Sequence, residues 1–261
     1  YAPEEVVLVD NASTDGSVSA IRNVFPTVRI IENTENVGFA KANNQGVAAF
    51  TSAVDAVWLL NSDTETGKNS LGDLVACLSG DSSLGAVGPT LVYPNGALQS
   101  AGGFFPTLLN IALFCIPVSV ILPKKVRSMI PSIALFPQTL PTKGLSVDYA
   151  TGAALLVRKS VWDKISGLPT AYFMYFEETD MCFAIRRLGY DIRIFHTDPV
   201  MHVYGGSYKT KYDPRRLRQF FTSLKLFVNR NYTGMYRTLC LLEIAVLSPL
   251  AGFIKSLKRF V

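Results

Sequence analysis

The stretch Val6-Val-Leu-Val-Asp-Asn-Ala-Ser-Thr-Asp-Gly-Ser17 reads as a short apolar strand running directly into a polar turn. A continuous apolar run without polar alternation marks a strand covered on both faces, as in the centre of a parallel sheet. The turn is rich in Asn, Ser, Thr and Asp, which cap helices, and it predicts a helix from about Ser17 to Val24. The pattern then repeats. Val28–Ile31 reads as a second strand, Gly38–Phe50 as a second helix, and Ala56–Leu60 as a third strand ending at Asn61-Ser-Asp63. Such alternation predicts an α/β sheet. Chemistry in these sheets gathers at the carboxyl ends of strands, where Asp10 and Asp63 both fall.

Beyond the third strand, Leu71–Leu78 reads as a helix, Ala86–Tyr93 as a strand and Asn95-Gly96 as a hairpin turn. Residues 104–145 are rich in proline and hold an apolar stretch, Leu108–Leu122, followed by Lys124, Lys125 and Arg127. That stretch contains Pro117 and is shorter than the about 20 residues a membrane span needs. Val147–Val157 is strand-like, and helices are expected near Lys159–Ile165 and Glu178–Leu188. From Pro214 the chain reads as helical and basic, and from Thr238 to Ile254 as strongly apolar. The expected organisation is one domain over residues 1–210 and a helical tail over 211–261. The abrupt start at Tyr1 suggests that a first strand–helix unit is missing from the chain.

At 49% hydrophobic and 17% charged residues, against a usual charged fraction of roughly 25%, the composition excludes disorder. A net charge of +5 is too small and scattered to imply nucleic acid. It suits anionic substrates or an anionic membrane surface. Cys77, Cys115, Cys182 and Cys240 lie far apart and form no C-x-x-C pair. That excludes a disulfide framework or structural zinc and fits a reducing, cytosolic compartment.

Four segments carry candidate chemistry. Asn61-Ser62-Asp63 places a carboxylate at a strand end, where it can hold a hard divalent cation that bridges a diphosphate. An Asn-x-Asp there is more often a turn or cap, so its place after two α/β units is what counts. Glu177-Glu178-Thr179-Asp180 follows the aromatic run Tyr172-Phe-Met-Tyr-Phe176, which implies partial burial. Crowded, half-buried carboxylates acquire raised pKa values, as a general base requires. Helical spacing puts Glu177 and Asp180 on one face and turns Glu178 away. In Asn33-Thr-Glu-Asn-Val-Gly-Phe-Ala-Lys-Ala-Asn-Asn44, Gly38 at a helix start leaves N–H groups for a phosphate, with Lys41 as a nearby charge. His202 is ordinarily a structural histidine and becomes a ligand only if a metal or diphosphate lies beside it.

Taken in order, these segments resemble the GT-A-fold glycosyltransferases of family two, and within them the bacterial rhamnosyltransferase-type enzymes of surface-polysaccharide assembly. The matching stretches are Val9–Ser17, Asn36–Gly46, Leu59–Asp63, Thr151–Arg158, Phe173–Asp180, Gly189-Tyr190 and His202. The resemblance implies a Rossmann-like, mostly parallel mixed sheet flanked by helices. It implies that Asp10, Asn11, Asp15, Asn36, Gly38, Lys41 and Asn61 face the donor nucleotide. Asp63 and His202 would hold Mg²⁺ or Mn²⁺, and Thr151-Gly152-Ala153 would lie under the acceptor. Glu178 would be the base, with Glu177 and Asp180 orienting it, although Glu177 stays open as the base itself.

The implied reaction is inverting transfer from a nucleoside-diphosphate sugar to a glycan or polyprenyl-diphosphate-linked acceptor. A dTDP-rhamnose donor follows the subfamily, with UDP- and GDP-sugars open. Ser62 departs from the family's usual proline, and Glu178 stands where Asp is common. The apolar tail, flanked by Arg230, Arg237, Lys255, Lys258 and Arg259, reads as an interfacial anchor at the inner face of the cell membrane. A sugar-nucleotide pyrophosphorylase and an inactive glycan- or nucleotide-sugar-binding relative are the alternatives.

Overall fold

The structure is a computed structural model that describes residues 2–115, 140–203 and 214–257, with side chains to residue 251. The first half runs β1 (Val7–Asp10), α1 (Ser17–Val24), β2 (Arg29–Glu32), α2 (Phe39–Ala48), β3 (Ala56–Leu60), β4 (Thr64–Thr66) and α3 (Ser70–Gly80). Then come β5 (Leu84–Gly88), β6 (Leu91–Val92), β7 (Leu98–Gln99), β8 (Gly102–Gly103) and α4 (Leu108–Cys115). The second half holds β9 (Leu145–Ser146), β10 (Tyr149–Ala150), β11 (Ala154–Arg158), α5 (Lys159–Ile165) and α6 (Glu177–Arg187). It closes with β12 (Asp191–Ile194), β13 (Val200–His202), α7 (Pro214–Asn231) and α8 (Gly234–Leu257).

A five-stranded sheet of order β3-β11-β5-β12-β9 forms the centre. Its inward residues, Val57, Leu59, Ala86, Leu155, Val157, Ile192 and Ile194, are buried in one apolar cluster. Burial of such side chains contributes roughly 1.5–3 kcal/mol each. The sheet is mixed, with a larger antiparallel share than strand–helix alternation suggests. β11 runs antiparallel to both β3 and β5, while β12 is parallel to β5. β1 and β2 pair with each other in parallel, Asp10 opposite Glu32. Among the described residues that pair is not hydrogen-bonded to the central sheet.

A second sheet, β4-β13-β6-β7, lies past the carboxyl end of β3. Its antiparallel β4–β13 ladder sets His202 opposite Thr64, which brings the end of the last described strand back beside Asp63. The Asn95-Gly96 turn joins β6 to β7 as the sequence suggests, with Gly96 in the left-handed region at φ 78°.

Two expected strands divide. Ala86–Tyr93 breaks at Pro89, whose missing N–H cannot continue a ladder. Val147–Val157 breaks at Thr151-Gly152-Ala153, where the backbone leaves the sheet to meet Phe39 and Glu178. Of the apolar stretch Leu108–Leu122, residues to Cys115 form α4, and the remainder with Lys124, Lys125 and Arg127 lies outside the described residues. Pro249 does not interrupt α8.

The tail is joined to the rest by its own core. Ile111 and Cys115 of α4, Tyr172 and Phe176 of the aromatic run, Phe221, Leu224, Phe227 and Val228 of α7, and Cys240 and Ile244 of α8 bury one another. Edge-to-face pairs such as Phe183 with Phe227, 5.8 Å between centroids, lock the seam.

Candidate active site

The residues expected to face a donor meet through the loops that follow β1 and β2. Asp10 ends β1, and its Oδ2 accepts the Ser13 N–H at 3.0 Å. Ala12 between them holds φ 64°, a conformation costing a non-glycine residue about 1 kcal/mol or more and typical of functional loops. Asp15 is exposed and accepts the Ser17 N–H at 3.0 Å, which holds its carboxyl below the usual range and shapes the start of α1. Asn11 Oδ1 accepts from Asn33 Nδ2 at 3.0 Å, and Asn33 exchanges amide bonds with Gln45 at 2.9 and 3.0 Å. Asn36 Oδ1 accepts the Gly38 N–H at 2.9 Å. Lys41 is exposed on the first turn of α2.

Gly38 is required by both its conformation and its neighbours. Its φ is 85°, and a Cβ there would lie 3.0 Å from the carbonyl oxygen of Phe173. The donor-side loop therefore rests directly on the aromatic run that leads into Glu177 and Glu178. Gly152 performs the matching service on the other side. A Cβ on Gly152 would lie 3.1 Å from the Phe39 ring and 3.6 Å from Glu178 Cβ. The Asn61 N–H donates to Ala153 O at 2.9 Å, so Asn61-Ser-Asp63, Thr151-Gly-Ala153 and Glu178 adjoin one another.

Asp63 and His202 come together. Asp63 Oδ1 lies 3.2 Å from His202 Nε2. Gln99 on β7 fixes the ring: its Nε2 donates to His202 O at 3.3 Å, which leaves Oε1 facing His202 Nδ1 at 2.7 Å. Nδ1 is then the protonated nitrogen, and Nε2 is the one turned toward Asp63. A carboxylate oxygen and an imidazole nitrogen about 3 Å apart match neighbouring positions around an ion with ligand distances of about 2.1 Å. The two residues fit a divalent cation. Among the described residues no group of three or more His, Cys, Asp or Glu gathers anywhere.

The carboxylate helix begins under strain. Tyr175 and Phe176 hold φ 69° and 70°, and α6 starts without a side-chain cap. Glu177 is only 5% exposed and its Oε2 lacks a partner. Burial and the adjacent Glu178 push its pKa up to about 8. Glu178 is half-buried, and desolvation raises it to about 7. Asp180 differs from both. Its Oδ2 accepts from Tyr172 Oη at 2.9 Å and Arg230 Nε at 2.7 Å, and its Oδ1 from Asn231 Nδ2 at 2.9 Å. That carboxylate is occupied by structural donors, whereas Glu178 faces the Gly152 loop.

Residues 1–162 match the model for glycosyl transferase family 2. The chain belongs to that family. The chain is 25% identical over 245 residues to the N-acetylglucosaminyl-diphospho-decaprenol L-rhamnosyltransferase of Mycobacterium tuberculosis, spanning 90% of this chain and 78% of that protein. It is 26% identical over 252 residues to the low-salt glycan biosynthesis hexosyltransferase Agl10 of Haloferax volcanii, spanning 91% and 73%. The mannosyltransferase PcManGT of Pyrobaculum calidifontis, solved with GDP-Man and Mn²⁺, superposes with a TM-score of 0.57 at 19% identity. That match covers 97% of this chain but 64% of the mannosyltransferase chain, so this chain spans under two thirds of its length. GalNAc-T7, solved with UDP, GalNAc and Mn²⁺, superposes with the same score at 13% identity, over 86% and 41%. The fold of this family 2 glycosyltransferase is GT-A.

Among the residues that hold His202 and Asp180, Gln99 and Asn231 carried no sequence signal, while Tyr172 was read only as part of the aromatic run and Arg230 only as a basic flank of the tail. Gln99 reaches His202 only because a short hairpin folds back. Tyr172, Arg230 and Asn231 converge on Asp180 from segments 8 to 51 residues away. The acidic cluster after an aromatic run did signal a buried carboxylate needing donors, but not which donors.

Proposed function

We propose that the chain catalyses inverting, metal-dependent transfer of a hexosyl or rhamnosyl group from a nucleoside-diphosphate sugar to a hydroxyl on a glycan or polyprenyl-diphosphate-linked acceptor. The observation that carries this reading is the Asn61 N–H to Ala153 O bond. It ties the Asp63 loop to the loop that Glu178 flanks, which supports a leaving-group site and a base side by side. Asp10, Asn11, Asp15, Asn36, Gly38, Lys41 and Asn61 would line the nucleotide, and Thr151-Gly152-Ala153 the acceptor.

Glu178 takes the proton from the acceptor oxygen as that oxygen attacks the anomeric carbon from the face opposite the diphosphate, giving inversion. Burial raises both Glu177 and Glu178, and their mutual repulsion favours a single charge on the pair. Asp63 and His202 would hold Mg²⁺ or Mn²⁺, which supplies charge neutralisation at the departing diphosphate. The test is a panel of dTDP-, UDP- and GDP-sugars with polyprenyl-diphosphate glycan acceptors. Release of nucleoside diphosphate and an inverted anomeric signal by NMR support the reading. Release of nucleoside triphosphate when pyrophosphate is added would favour a pyrophosphorylase, and binding without turnover an inactive relative.

The same reading places the catalytic unit over residues 1–210 and the tail over 211–261 at the inner face of the cell membrane. The supporting observation is a second apolar face on α8. Met235, Leu239, Leu242, Val246 and Leu250 recur at helical spacing and are exposed, Met235 by 79% and Val246 by 71%, opposite the packed Cys240, Ile244 and Ala251. Residues 214–261 carry nine Lys and Arg against one Glu. Inserting the stripe contributes roughly 1 kcal/mol per side chain, and each basic residue near anionic lipid about as much. Cosedimentation with phosphatidylglycerol vesicles but not with neutral ones is expected, and loss of binding in Leu239→Asp/Val246→Asp. Equal recovery of both proteins in the supernatant would end the membrane reading.

A further inference from the structure

We propose that the tail helix α7 supplies positioning residues for the transfer reaction: Arg230 and Asn231 grip Asp180 and, through it, the loop that carries Glu178. The inference rests on the glycosyl-transfer reading above and adds to it a role for residues outside the segment matched by the family model, which ends at residue 162.

The segment from Tyr172 to Asp180 is closed on itself by the Tyr172 Oη to Asp180 Oδ2 bond at 2.9 Å. Helix α7 pins it at two separated points. At one, Ser223 Oγ donates to Met174 O at 2.7 Å. At the other, Arg230 Nε donates to Asp180 Oδ2 at 2.7 Å and Asn231 Nδ2 to Oδ1 at 2.9 Å. The Arg230 guanidinium also sits over the Tyr172 ring, 6.0 Å from its centroid, so cation, ring and carboxylate hold a common geometry.

Between the two pins lie Tyr175 and Phe176, both in the left-handed region that side-chain-bearing residues rarely occupy. Such a conformation persists only where its surroundings over-determine it. The pins are those surroundings. The segment also touches both substrate-side loops, with Phe173 O against Gly38 and Glu178 Cβ against Gly152. Releasing Asp180 therefore lets the strained turn relax and shifts Glu178 with respect to donor and acceptor together. A helix start needs no such grip, because the first-turn amides already favour acidic side chains. The reach of 50 residues from Arg230 to Asp180 points to alignment of the base.

The test is a double-mutant cycle in the full chain with Arg230→Gln, Asp180→Asn and the pair, alongside the milder Arg230→Lys and Asn231→Leu. Each is measured for kcat, donor KM and hydrogen exchange of the amides in 173–179. We expect Arg230→Gln and Asp180→Asn each to lower kcat by about 10–100-fold, with donor KM within about twofold of wild type. The double variant is expected to be no worse than the poorer single one, because both act on one device. Exchange in 173–179 is expected to quicken by at least about fivefold in all variants. If Arg230→Gln or Asp180→Asn does not fold, Arg230→Lys and Asn231→Leu decide through smaller kcat losses of about three- to tenfold with unchanged KM. Multiplying kcat deficits, or unaltered kcat in folded variants, would overturn the proposal. So would unchanged exchange in 173–179, a readout that needs no turnover. A wild-type chain that turns over no sugar nucleotide would instead sink the glycosyl-transfer reading.

Discussion

Replacing Glu178 by Gln removes the proposed base while keeping the shape of the side chain beside Gly152. Loss of a general base costs about 10²–10⁴ in rate, so kcat is expected to fall in that range with donor affinity by calorimetry unchanged. The pH profile of the wild type gives the sharper check. The base works ionised, and burial lifts Glu178 to about 7. At pH 6 only about 9% of such a group is ionised, and kcat should sit about tenfold below its plateau above pH 8. An unshifted glutamate of pKa about 4.3 would be about 98% ionised at pH 6, and the profile would be flat there. Nucleoside-diphosphate release, followed at saturating donor and acceptor between pH 5 and 9, separates the two. Near-normal turnover by Glu178→Gln with Glu177→Gln inactive would move the base to Glu177, and a flat wild-type profile would refute a buried carboxylate of raised pKa as the base.

Other consequences follow from the same geometry. Glu177 is buried with an unpartnered oxygen and a pKa raised to about 8. A carboxyl raised in the fold binds a proton that the unfolded chain has released, so its ionisation costs stability as pH climbs from about 4.5 toward 8. Glu177→Gln is therefore expected to raise the unfolding free energy from urea titration at pH 8, by roughly 1–4 kcal/mol, and to leave it nearly unchanged at pH 4; equal effects at both values would count against burial of the charge. Asp63→Ala should weaken Mn²⁺-dependent nucleotide binding in calorimetry by at least about tenfold, and unchanged affinity would remove it from the metal site. Gln99→Leu removes the acceptor facing His202 Nδ1 without touching a proposed ligand, and Mn²⁺ affinity is expected to fall by about 10–100-fold, with a normal value showing that the ring is held by other means. Gly38→Ala meets both φ 85° and the Phe173 carbonyl, so a loss of about 1–3 kcal/mol in stability is expected; an unchanged thermal midpoint would contradict the close approach.

The central strands and helices were legible because local signals agreed with tertiary burial. α1, β3 and α5 fall where apolar runs, capping residues and turn chemistry put them. Asp63 and Glu178 stood out in the sequence as candidates because carboxylates next to apolar segments are costly without a purpose. What escaped depended on contacts across long separations. No property of Leu98-Gln99 says that a two-residue strand will hand its amide to a histidine 103 residues later. Likewise Asp180 has the same sequence character as Glu177 and Glu178, and only the arrival of Arg230 and Asn231 separates its duty from theirs.

The tail shows why composition alone could not divide this protein. Residues 214–261 look like an appendage, with nine basic residues and one acidic, whereas the preceding residues carry sixteen basic and nineteen acidic. A loosely attached appendage would bury its apolar face against itself. Here α7 and α8 instead build a core that includes Tyr172 and Phe176, residues immediately ahead of the proposed base. One face of α8 closes that core and the other carries five exposed apolar side chains. A helix apolar on both faces is matched to two different neighbours, one of which the protein itself provides. On the membrane reading proposed above, that second neighbour would be an anionic bilayer, which accepts an apolar stripe on a basic tail. A substrate hydroxyl carried on a lipid would then arrive from the side on which the base loop is already braced.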